Sequence, residues 1–402
     1  MAIAKKPKVL VGMSGGVDSS VSAALLLEQG YDVIGAFMKN WSGDAGGPSC
    51  SNAERVGEAF AECGWREERR DAMRVASRLG IPFVTLDFEK EYREKVVEDL
   101  FREFQAGRTP NPDVLCNKFI KFDLFVREAD RLGCDFIATG HYARIERDSS
   151  PSAQNDNCKI RVGFDPNKDQ TYFLWAMPPA VLPRVLFPVG GMLKPDVRKK
   201  ARELKLATAE KKDSMGICFV GEVNMPAFLK ARIKEDPGEI VTTDGKVVGT
   251  HEGVMFYTIG QRHGLNVGGG MPYYVVGKDT EKKQLIVSSQ FHPALHQKEL
   301  TAASCSWFHY SGQARRRCFF DESGDESGPR KSNADGLVSN GLQVFRCSTR
   351  IRYRQPLVEC QVTVLEDGRV HVVFDEPQRA VTPGQSIVFY DGEEMLGGAI
   401  IE

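Results

Sequence analysis

Glycine, serine and aspartate residues lie close together near the start of the chain, between two apolar segments. Residues 9–11 are apolar and predict a buried strand, and apolar residues at 17, 21, 24 and 25 have the spacing of one helical face. A glycine turn between a strand and a helix directs backbone N–H groups at an anion, and the helix dipole adds positive charge. We therefore predict a phosphate site formed by Gly12, Met13, Ser14, Gly15, Gly16, Val17, Asp18 and Ser19.

This phosphate site differs from a Walker loop because no lysine lies in the turn. Asp18 could either cap the following helix or hold a Mg²⁺ ion that bridges phosphates. The residues are also compatible with a tight turn that binds nothing. The run resembles the pyrophosphate loop, S-G-G-x-D-S, of ATP pyrophosphatases, which split ATP between its α and β phosphates and adenylate an acceptor.

A first candidate nucleophile is Cys116. Prolines at 110 and 112 predict a rigid extended turn just before a helix, and Asp113 lies three residues before Cys116, on the same helical face. A cysteine near a helix N-terminus, with Lys118 and Lys121 close by, is expected to have a lowered pKa. Taken alone, Cys116 could equally be a buried structural cysteine.

A second cysteine strengthens the case for sulfur chemistry. Cys218 lies in the segment 214–221, which has glycines on both sides of the thiol and follows a basic stretch. Glycines of this kind predict a mobile segment. One thiol that carries sulfur and one that resolves the carrier are the minimum for persulfide chemistry.

The elements that position these residues alternate between strand and helix. Strands are predicted at residues 9–11, 33–38, 83–88 and 135–139, with helical patterns between them. This alternation predicts an α/β domain with a parallel sheet, whose ligands bind beyond the carboxyl ends of the strands. The glycine loop, Met38 and Gly140 would then share one edge of the sheet.

After about residue 205 the pattern changes to short β-like runs separated by turn dipeptides. Residues 362–374 predict a hairpin that turns at Asp367-Gly368, and Asp391-Gly392 predicts another. We expect the last hundred or so residues to form a small β-barrel. The segment 321–336 is of low complexity and is predicted to be disordered.

Composition indicates a water-soluble protein of two or three domains, with 402 residues, 42% hydrophobic and 27% charged. No apolar run approaches a membrane span, and the first strand begins too early to leave room for a signal or transit peptide. Ten scattered cysteines are not a disulfide framework, and the cysteines at 50 and 63 lack the histidines or spacing of a zinc site. We therefore expect a cytoplasmic protein, or a mitochondrial-matrix one if the chain is eukaryotic and lacks its presequence.

A net charge of −1 argues against indiscriminate nucleic-acid binding but hides two basic stretches. Residues 184–212 contain nine Lys/Arg and three acids, and residues 346–354 contain no acid. Each could be a solvated face or the site of a polyanion. Arg350, Arg352 and Arg354 alternate, so on a strand they would form one basic ridge, with Tyr353 on the opposite side as a core aromatic or an RNA contact.

Taken together, these motifs resemble the tRNA-specific 2-thiouridylase family over essentially the whole chain. The most specific blocks are residues 111–117 and the second cysteine segment, 214–219. The other matching blocks are the pyrophosphate loop and residues 37–41, 138–142, 168–174, 257–262 and 352–355. Departures from the family pattern fall at 41–70, 146–158 and 321–336.

The resemblance implies a nucleotide-binding domain of the adenine nucleotide α-hydrolase type at 1–205, a central domain at 206–298 that carries Cys218, and a barrel at 299–402. It implies that Met38, Gly140 and the glycine loop bind ATP with Mg²⁺. Cys116 would be the nucleophile, Cys218 would hold the persulfide and Asp113 would act as acid or base. Contacts with the target base would come from Asn111, Pro112 and Asp113, and contacts with tRNA from Lys168, Asp169, Gln170, Arg352 and Tyr353.

The implied reaction is 2-thiolation of the wobble uridine of tRNA through adenylation of its C2 oxygen, with release of AMP and pyrophosphate. The implied partners are tRNA and a protein that donates persulfide sulfur, and the chain would be a monomer. Two alternatives remain. Another adenylating enzyme would need an ammonia-generating domain or an amino-acid site, and no such motif occurs. A non-catalytic tRNA-binding relative would have no need of Asp18, Cys116 and Cys218.

Overall fold

The computed structural model describes residues 6–42, 65–147, 158–213, 225–265, 267–268, 272–308 and 343–402. The chain divides into two compact units. Unit 1 comprises Met1–Arg102 and Asn111–Lys234, and unit 2 comprises Glu103–Pro110 and Glu235–Glu402. Within the described ranges, no helix is long and apolar enough to cross a membrane.

Unit 1 is built on a parallel sheet. Its strands are β1 (Lys8–Gly12), β2 (Asp32–Lys39), β3 (Phe83–Asp87), β4 (Phe136–Ala138), β5 (Ala143–Arg147), β6 (Cys158–Val162) and β7 (Val185–Leu186). Five of them form the order β3-β2-β1-β4-β7 with every pairing parallel. β5 and β6 pair with each other in the antiparallel direction and are not part of this parallel sheet. The predicted parallel sheet is thus confirmed, with the first four strands where the apolar runs indicated.

Helices lie between the strands of unit 1 and follow the last of them. They are α1 (Val17–Glu28), α2 (Trp65–Leu79), α3 (Glu89–Tyr92), α4 (Glu98–Gln105), α5 (Pro112–Leu115), α6 (Phe125–Arg131), α7 (Lys194–Glu203) and α8 (Met225–Lys230). π-helical segments, Arg93–Val97 and Cys116–Leu124, join α3 to α4 and α5 to α6. The second is kinked at Phe122, whose φ of −116° and ψ of 15° are not helical.

The hydrophobic core of the sheet explains why these segments fold as they do. Strand β1 is buried along nearly its whole length, as expected of a central strand with helices on both faces. Val21 of α1, Val75 of α2 and Val197 of α7 are fully buried in one cluster with residues of β1 and β2. Burying an apolar side chain of this size stabilises the fold by about 1.5–3 kcal/mol. The carboxyl ends of β1, β2 and β4 are thereby fixed beside one another.

Unit 2 contains two β structures. The first has strands β8 (Gly238–Thr242), β9 (Val247–His251), β10 (Tyr273–Asp279) and β11 (Gln284–Ser289), in the order β10-β11-β8-β9. The second has β12 (His296–Trp307), β13 (Gln343–Arg350), β14 (Val358–Val364), β15 (Val370–Arg379), β16 (Ser386–Asp391) and β17 (Glu394–Ile401). The order β12-β15-β14-β13-β16-β17 is closed by pairing of β17 with β12. This closed antiparallel sheet confirms the predicted C-terminal β-barrel.

Both predicted hairpin turns of the barrel are present. β14 and β15 flank Asp367-Gly368, and β16 and β17 flank Asp391-Gly392. Gly368 has φ +81° and Gly392 φ +56°, so each turn uses the left-handed conformation that glycine adopts without strain.

The predicted arginine ridge is wrong. Strand β13 ends at Arg350, and the chain bends at residues 351–354 instead of continuing extended. The bend arises because Ile351 is buried in the barrel core, and Arg354 has φ +63°. Side chains alternate only along extended backbone, so Arg350, Arg352 and Arg354 do not share a strand face.

Several predictions lie outside the described residues or are not tested by the fold. The segment 321–336 and most of 41–70 and 146–158 are outside the described ranges. Domain boundaries at residues 205 and 298 stay predictions. Unit 1 continues to Lys234. Unit 2 includes Glu103–Pro110, which lies in the sequence between the two parts of unit 1, so the units are not two consecutive segments of the chain.

Candidate nucleotide and thiol site

The glycine loop turns sharply between β1 and α1. Gly15 has φ +76°, and a Cβ there would lie 2.3 Å from the carbonyl oxygen of Glu68, so only glycine fits. Gly16 is the N-cap of α1, and no side chain of the described residues caps the helix. The N–H groups of the first helical turn therefore lack a capping acceptor at the positive end of the helix dipole. This arrangement suits an anion such as a phosphate.

The serine hydroxyls around this loop point in different directions. Ser19 Oγ accepts a hydrogen bond from the Ser14 backbone N–H at 3.2 Å and lies 3.3 Å from Ser14 Oγ. Ser20 Oγ donates to the Gly16 carbonyl at 2.7 Å and accepts from Thr208 at 3.0 Å. Ser14 and Ser19 thus brace the loop itself, while Ser20 holds it to the interior of unit 1.

Asp18 is held by side chains from two distant segments. Tyr142 donates its hydroxyl to Asp18 Oδ1 at 2.8 Å, and Lys194 Nζ lies 2.8 and 2.7 Å from the two carboxylate oxygens. Burial raises the pKa of Tyr142, and the neighbouring Asp18 carboxylate raises it further, so the phenol stays protonated and donates. Of the two roles considered for Asp18, capping of α1 is excluded because the N-cap is Gly16 and the Asp18 side chain makes no capping hydrogen bond.

Met38 and Gly140 both pack against the glycine loop, as the sheet topology predicted. A Cβ on Gly12 would lie 3.0 Å from Met38 Cε. A Cβ on Gly140 would lie 2.7 Å from the backbone N of Ser19 and 2.9 Å from the carbonyl carbon of Asp18. Gly140 therefore has to be glycine so that the end of β4 can approach the start of α1.

The residue after Gly140 is a buried, neutral histidine. His141 Nδ1 lies 2.7 Å from Thr139 Oγ1, and Nε2 lies 3.4 Å from Lys121 Nζ. Burial, and then the charge of Lys121, lower the pKa of His141 well below its usual value. Because Lys121 can only donate, Nε2 accepts and the Nδ1–H donates to Thr139. Lys121, which the sequence placed beside Cys116, contacts His141.

The first predicted cysteine lies where a short helix, α5, continues into a π-helical segment. Asn111 caps α5, its Oδ1 accepting from the Asp113 N–H at 3.2 Å, and Pro112 occupies the first helical turn. Cys116 begins the π-helical segment, and its side chain is fully buried. The helix has thus begun before Cys116. This is the condition under which Asp113 and Cys116, three residues apart, were predicted to lie on the same helical face. A buried thiol must become accessible before it can react with a partner.

The segment Lys168–Gln170, predicted to contact tRNA, is bonded to Tyr142 through Gln170 and is followed in the chain by Phe173, which contacts Asn117. Asn117, next to Cys116, donates through Nδ2 to the carbonyl of Phe173 at 2.8 Å. Gln170 Oε1 accepts from the backbone N–H of Tyr142 at 3.0 Å. Asp169 is buried and accepts from the N–H groups of Gly163 and Thr171. These bonds order the segment, while its contact with tRNA stays a prediction.

The two predicted tRNA contacts in the barrel differ in their surroundings. Arg352 Nη2 donates to the carbonyls of Ile259 and Ala380 at 3.1 and 2.9 Å and to Thr382 Oγ1 at 3.1 Å. Tyr353 is half-buried, and the guanidinium of Arg354 lies 5.1 Å from its ring centroid. Arg352 therefore has a structural role within unit 2.

Sequence reasoning missed Lys194 and Tyr142, and it read the basic stretch 184–212 as one patch. Six of its nine cations form ion pairs, namely Arg184, Lys194, Arg198, Lys200, Arg202 and Lys211. The sequence did contain one signal for a distant lysine such as Lys194. The glycine loop has no lysine of its own, and a phosphate site without a cation needs one from elsewhere in the chain.

A further missed residue is Asn40, which directly follows β2. Its side chain is 1% exposed, and among the described residues neither its amide nitrogen nor its amide oxygen has a hydrogen-bond partner. The Oδ1 of Asn117 is likewise buried without one. Buried polar atoms without partners are costly, and in native proteins they mark functional positions or unseen ligands. Asn40 fits the expectation that a ligand binds at the carboxyl edge of the sheet.

The site thus combines an uncapped helix N-terminus, a carboxylate held by a lysine, and a buried thiol in the same unit. Cys218 lies outside the described residues. No group of three or more potential metal-ligating side chains occurs in the part of the chain that the structure describes. These features are typical of an α/β protein with an anion site at the carboxyl end of a parallel sheet, in a chain that also contains a β-barrel.

Family models agree with this class of protein. Residues 7–222 match the tRNA methyl transferase HUP domain, residues 226–289 the tRNA methyl transferase PRC-barrel domain, and residues 337–401 the aminomethyltransferase β-barrel domain. Among solved structures, the chain is similar to a 4-thiouridine synthetase–RNA complex with bound ATP, with 19% identity, a TM-score of 0.32 and coverage of 54% of this chain and 46% of that one. That similarity is too low to support a function.

Curated relatives define the family more narrowly. The chain is 45% identical to the tRNA-specific 2-thiouridylase MnmA of Bacillus subtilis, over 98% of this chain and 95% of that protein. It is 47% identical to the tRNA-specific 2-thiouridylase MnmA 2 of Geobacillus kaustophilus, over 98% and 94%. The chain belongs to the tRNA-specific 2-thiouridylase family.

Proposed function

We propose that this protein is an ATP-dependent tRNA-uridine 2-sulfurtransferase that thiolates the wobble uridine. The observation that carries the proposal is the pairing of an uncapped glycine loop with the buried thiol Cys116 in one unit, in a chain whose close relatives are 2-thiouridylases. An adenylating enzyme that transfers ammonia or an amino acid has no need of that thiol. A non-catalytic relative has no need of Asp18 and its two partners.

ATP serves to activate the uridine. The C2 carbonyl is a poor electrophile because oxide would be its leaving group. Attack of the C2 oxygen on the α phosphate forms an adenylated uridine and releases pyrophosphate. We propose that Gly12–Ser19, Met38 and Gly140 hold the nucleotide, with the N–H groups of the loop facing its phosphates. Mg²⁺, bound with ATP near Asp18, would neutralise phosphate charge.

Two cysteines would deliver the sulfur. The terminal sulfur of a Cys218 persulfide becomes bonded to C2 as AMP leaves, either directly or after Cys116 releases it as sulfide. In both routes Cys116 ends bonded to Cys218 in a disulfide. The two thiols are oxidised, and the persulfide sulfur gains the two electrons. Asn111, Pro112 and Asp113 would contact the target base, which must leave its stack, and Asp113 would move the proton.

The partners of this protein would be tRNA and a protein that donates sulfur. We propose that Lys168, Asp169, Gln170, Arg352 and Tyr353 lie along the path of the tRNA, with Asp169 and Arg352 ordering the surface and not reading bases. A second protein would load Cys218 with persulfide sulfur. The protein would work as a monomer in the cytoplasm, where tRNA is available and thiols stay reduced.

Mass spectrometry of tRNA incubated with the protein, ATP and sulfide tests the proposal. The expected result is 2-thiouridine at the wobble position, with one AMP and one pyrophosphate formed per sulfur transferred. Asp18→Ala should abolish both products, while Asp32→Ala, at the amino end of β2, should leave them unchanged. Formation of ADP and orthophosphate, or thiolation without ATP, would refute the adenylation step.

A further inference from the structure

The cation that the glycine loop lacks is supplied from a distant part of unit 1. Lys194, the first residue of α7, is 8% exposed. Its Nζ lies 2.7 Å from Asp18 Oδ2 and 2.9 Å from Asp213 Oδ1. Its backbone N–H donates to the buried Asp165 at 3.0 Å. Both the main chain and the side chain of Lys194 are therefore fixed beside the loop.

The carboxylate of Asp213 is the centre of a cluster of three cations. Lys168, Lys194 and Arg198 all pair with it. Burial would raise the pKa of Asp213, but hydrogen bonds and charge from Lys168 and Lys194 lower it to about 2, so it is ionised at neutral pH. Arg198 is also bonded to the carbonyls of Ala209 and Lys211 at 3.0 and 2.9 Å, which fixes it in place.

This network allows an exchange of partners at low cost. If Lys194 leaves Asp213, that carboxylate keeps Lys168 and Arg198, and Asp18 keeps the hydroxyl of Tyr142. No carboxylate is left buried and unpaired, which is the costly outcome when a buried ion pair is broken. An entering phosphate needs such a cation because the helix N-terminus supplies only about half a positive charge and Asp18 is negative.

We propose that Lys194 is a phosphate ligand of the bound nucleotide and that Asp213 holds its ammonium group until the nucleotide enters. On binding, Lys194 exchanges its bond with Asp213 for one with a phosphate oxygen. The proposal rests on the proposed use of ATP. It assigns to Lys194 the role that the loop lysine has in Walker-type sites, with a lysine that is 176 residues distant from Asp18 in the sequence.

Titration calorimetry with the full chain, ATP and Mg²⁺, in the absence of tRNA, tests the proposal. Lys194→Met should weaken ATP binding by about 10- to 100-fold, the value of one hydrogen bond to a charged group. Lys194→Arg should retain most of the affinity. Asp213→Asn should bind ATP as well as the wild type or more tightly, because it removes a competing carboxylate. Lys200→Met, on the same helix and paired with Glu28, is the matched control.

The opposite effects at positions 194 and 213 separate a ligand from a structural ion pair. Equal loss of ATP affinity in Lys194→Met and Asp213→Asn would overturn the proposal, as would unchanged affinity in both. In a separate titration with tRNA, a loss by Lys194→Met that is confined to tRNA binding would also overturn it and would identify the phosphate as one of the tRNA. Absence of ATP binding by the wild type would overturn the proposed function as well. Circular dichroism of each variant checks that it is folded.

Discussion

The hydroxyl of Tyr142 donates to Oδ1 of Asp18 at 2.8 Å, joining the chain after β4 to the first turn of α1. Gln170 accepts from the backbone N–H of the same tyrosine. One residue thus connects the nucleotide loop, through its side chain, with the segment Lys168–Gln170, through its backbone, and that segment is expected to face tRNA. The orientation of Asp18 depends on residues more than a hundred positions away in the sequence.

Replacing Tyr142 by phenylalanine tests this connection. Tyr142→Phe keeps the buried ring and removes a hydrogen bond to a charged group, worth about 1.5–3 kcal/mol. We expect the KM for ATP to rise about tenfold, with a smaller change in the KM for tRNA. Tyr31→Phe, beside the amino end of β2, is the control and should leave both values unchanged. A Tyr142→Phe variant with wild-type kinetics would mean that Lys194 alone orients Asp18.

Close packing at Gly140 gives a steric prediction. In Gly140→Ala the new methyl group would lie 2.7 Å from the backbone N of Ser19, so the start of α1 must shift. Overpacking of this kind costs about 1–3 kcal/mol, and we expect lower thermal stability and weaker ATP binding together. A Cβ on Gly191 would meet no atom of the described residues within 4 Å, so Gly191→Ala should change neither. Normal ATP binding by Gly140→Ala would show that the loop tolerates the shift.

The two predicted reactive cysteines should fail in different ways. Cys218→Ser should lose thiolation supported by a persulfide donor because no carrier remains. Cys116→Ser should accumulate persulfide on Cys218 because no thiol resolves it. Both should bind ATP and tRNA normally. Peptide mass spectrometry after alkylation distinguishes the two states.

Cys134 provides the control for this pair. It is buried in unit 1, and burial raises the pKa of its thiol, which disfavours the reactive thiolate. Cys134→Ser should therefore keep full activity. If Cys116→Ser and Cys218→Ser also keep full activity, the proposed sulfur chemistry is wrong.

Arg352 and Arg354 should behave differently, although both belong to the basic stretch. Arg352→Met removes the donor to the carbonyls of Ile259 and Ala380 and to Thr382 Oγ1. The Ala380 carbonyl still accepts from Thr382, so the main cost is the Ile259 carbonyl left without this donor, about 1–3 kcal/mol for a buried acceptor. We expect a clear fall in the Tm of the protein. Arg354 is exposed, so Arg354→Met should leave Tm unchanged. It should reduce the slope of log K for tRNA binding against log salt concentration by up to about 1, the value for one lost phosphate contact. Unchanged Tm in Arg352→Met would contradict its structural role.

Local sequence determined the strands, the glycine turn and the hairpins. The apolar run of β1 specifies a strand, and the glycines of the loop specify a turn. Asp367-Gly368 and Asp391-Gly392 specify the two hairpin turns, and each of these signals lies within a few neighbouring residues. Such features depend on side-chain period and on backbone conformations that glycine adopts without strain, both of which are readable in a short window. The alternation of strands and helices also predicted that Gly140 lies beside the loop, because such an alternation is compatible with few sheet topologies.

Only the tertiary structure decided which charges meet. Lys194 was one of nine cations in a basic stretch, and nothing in the sequence distinguished it as the partner of Asp18. The arginine ridge failed because burial of Ile351 turns the chain at the point where alternation assumed a continuing strand. Ion pairs and bends of this kind depend on how distant segments pack. A periodic pattern records the preferences of neighbouring residues and carries no information on contacts made across the fold.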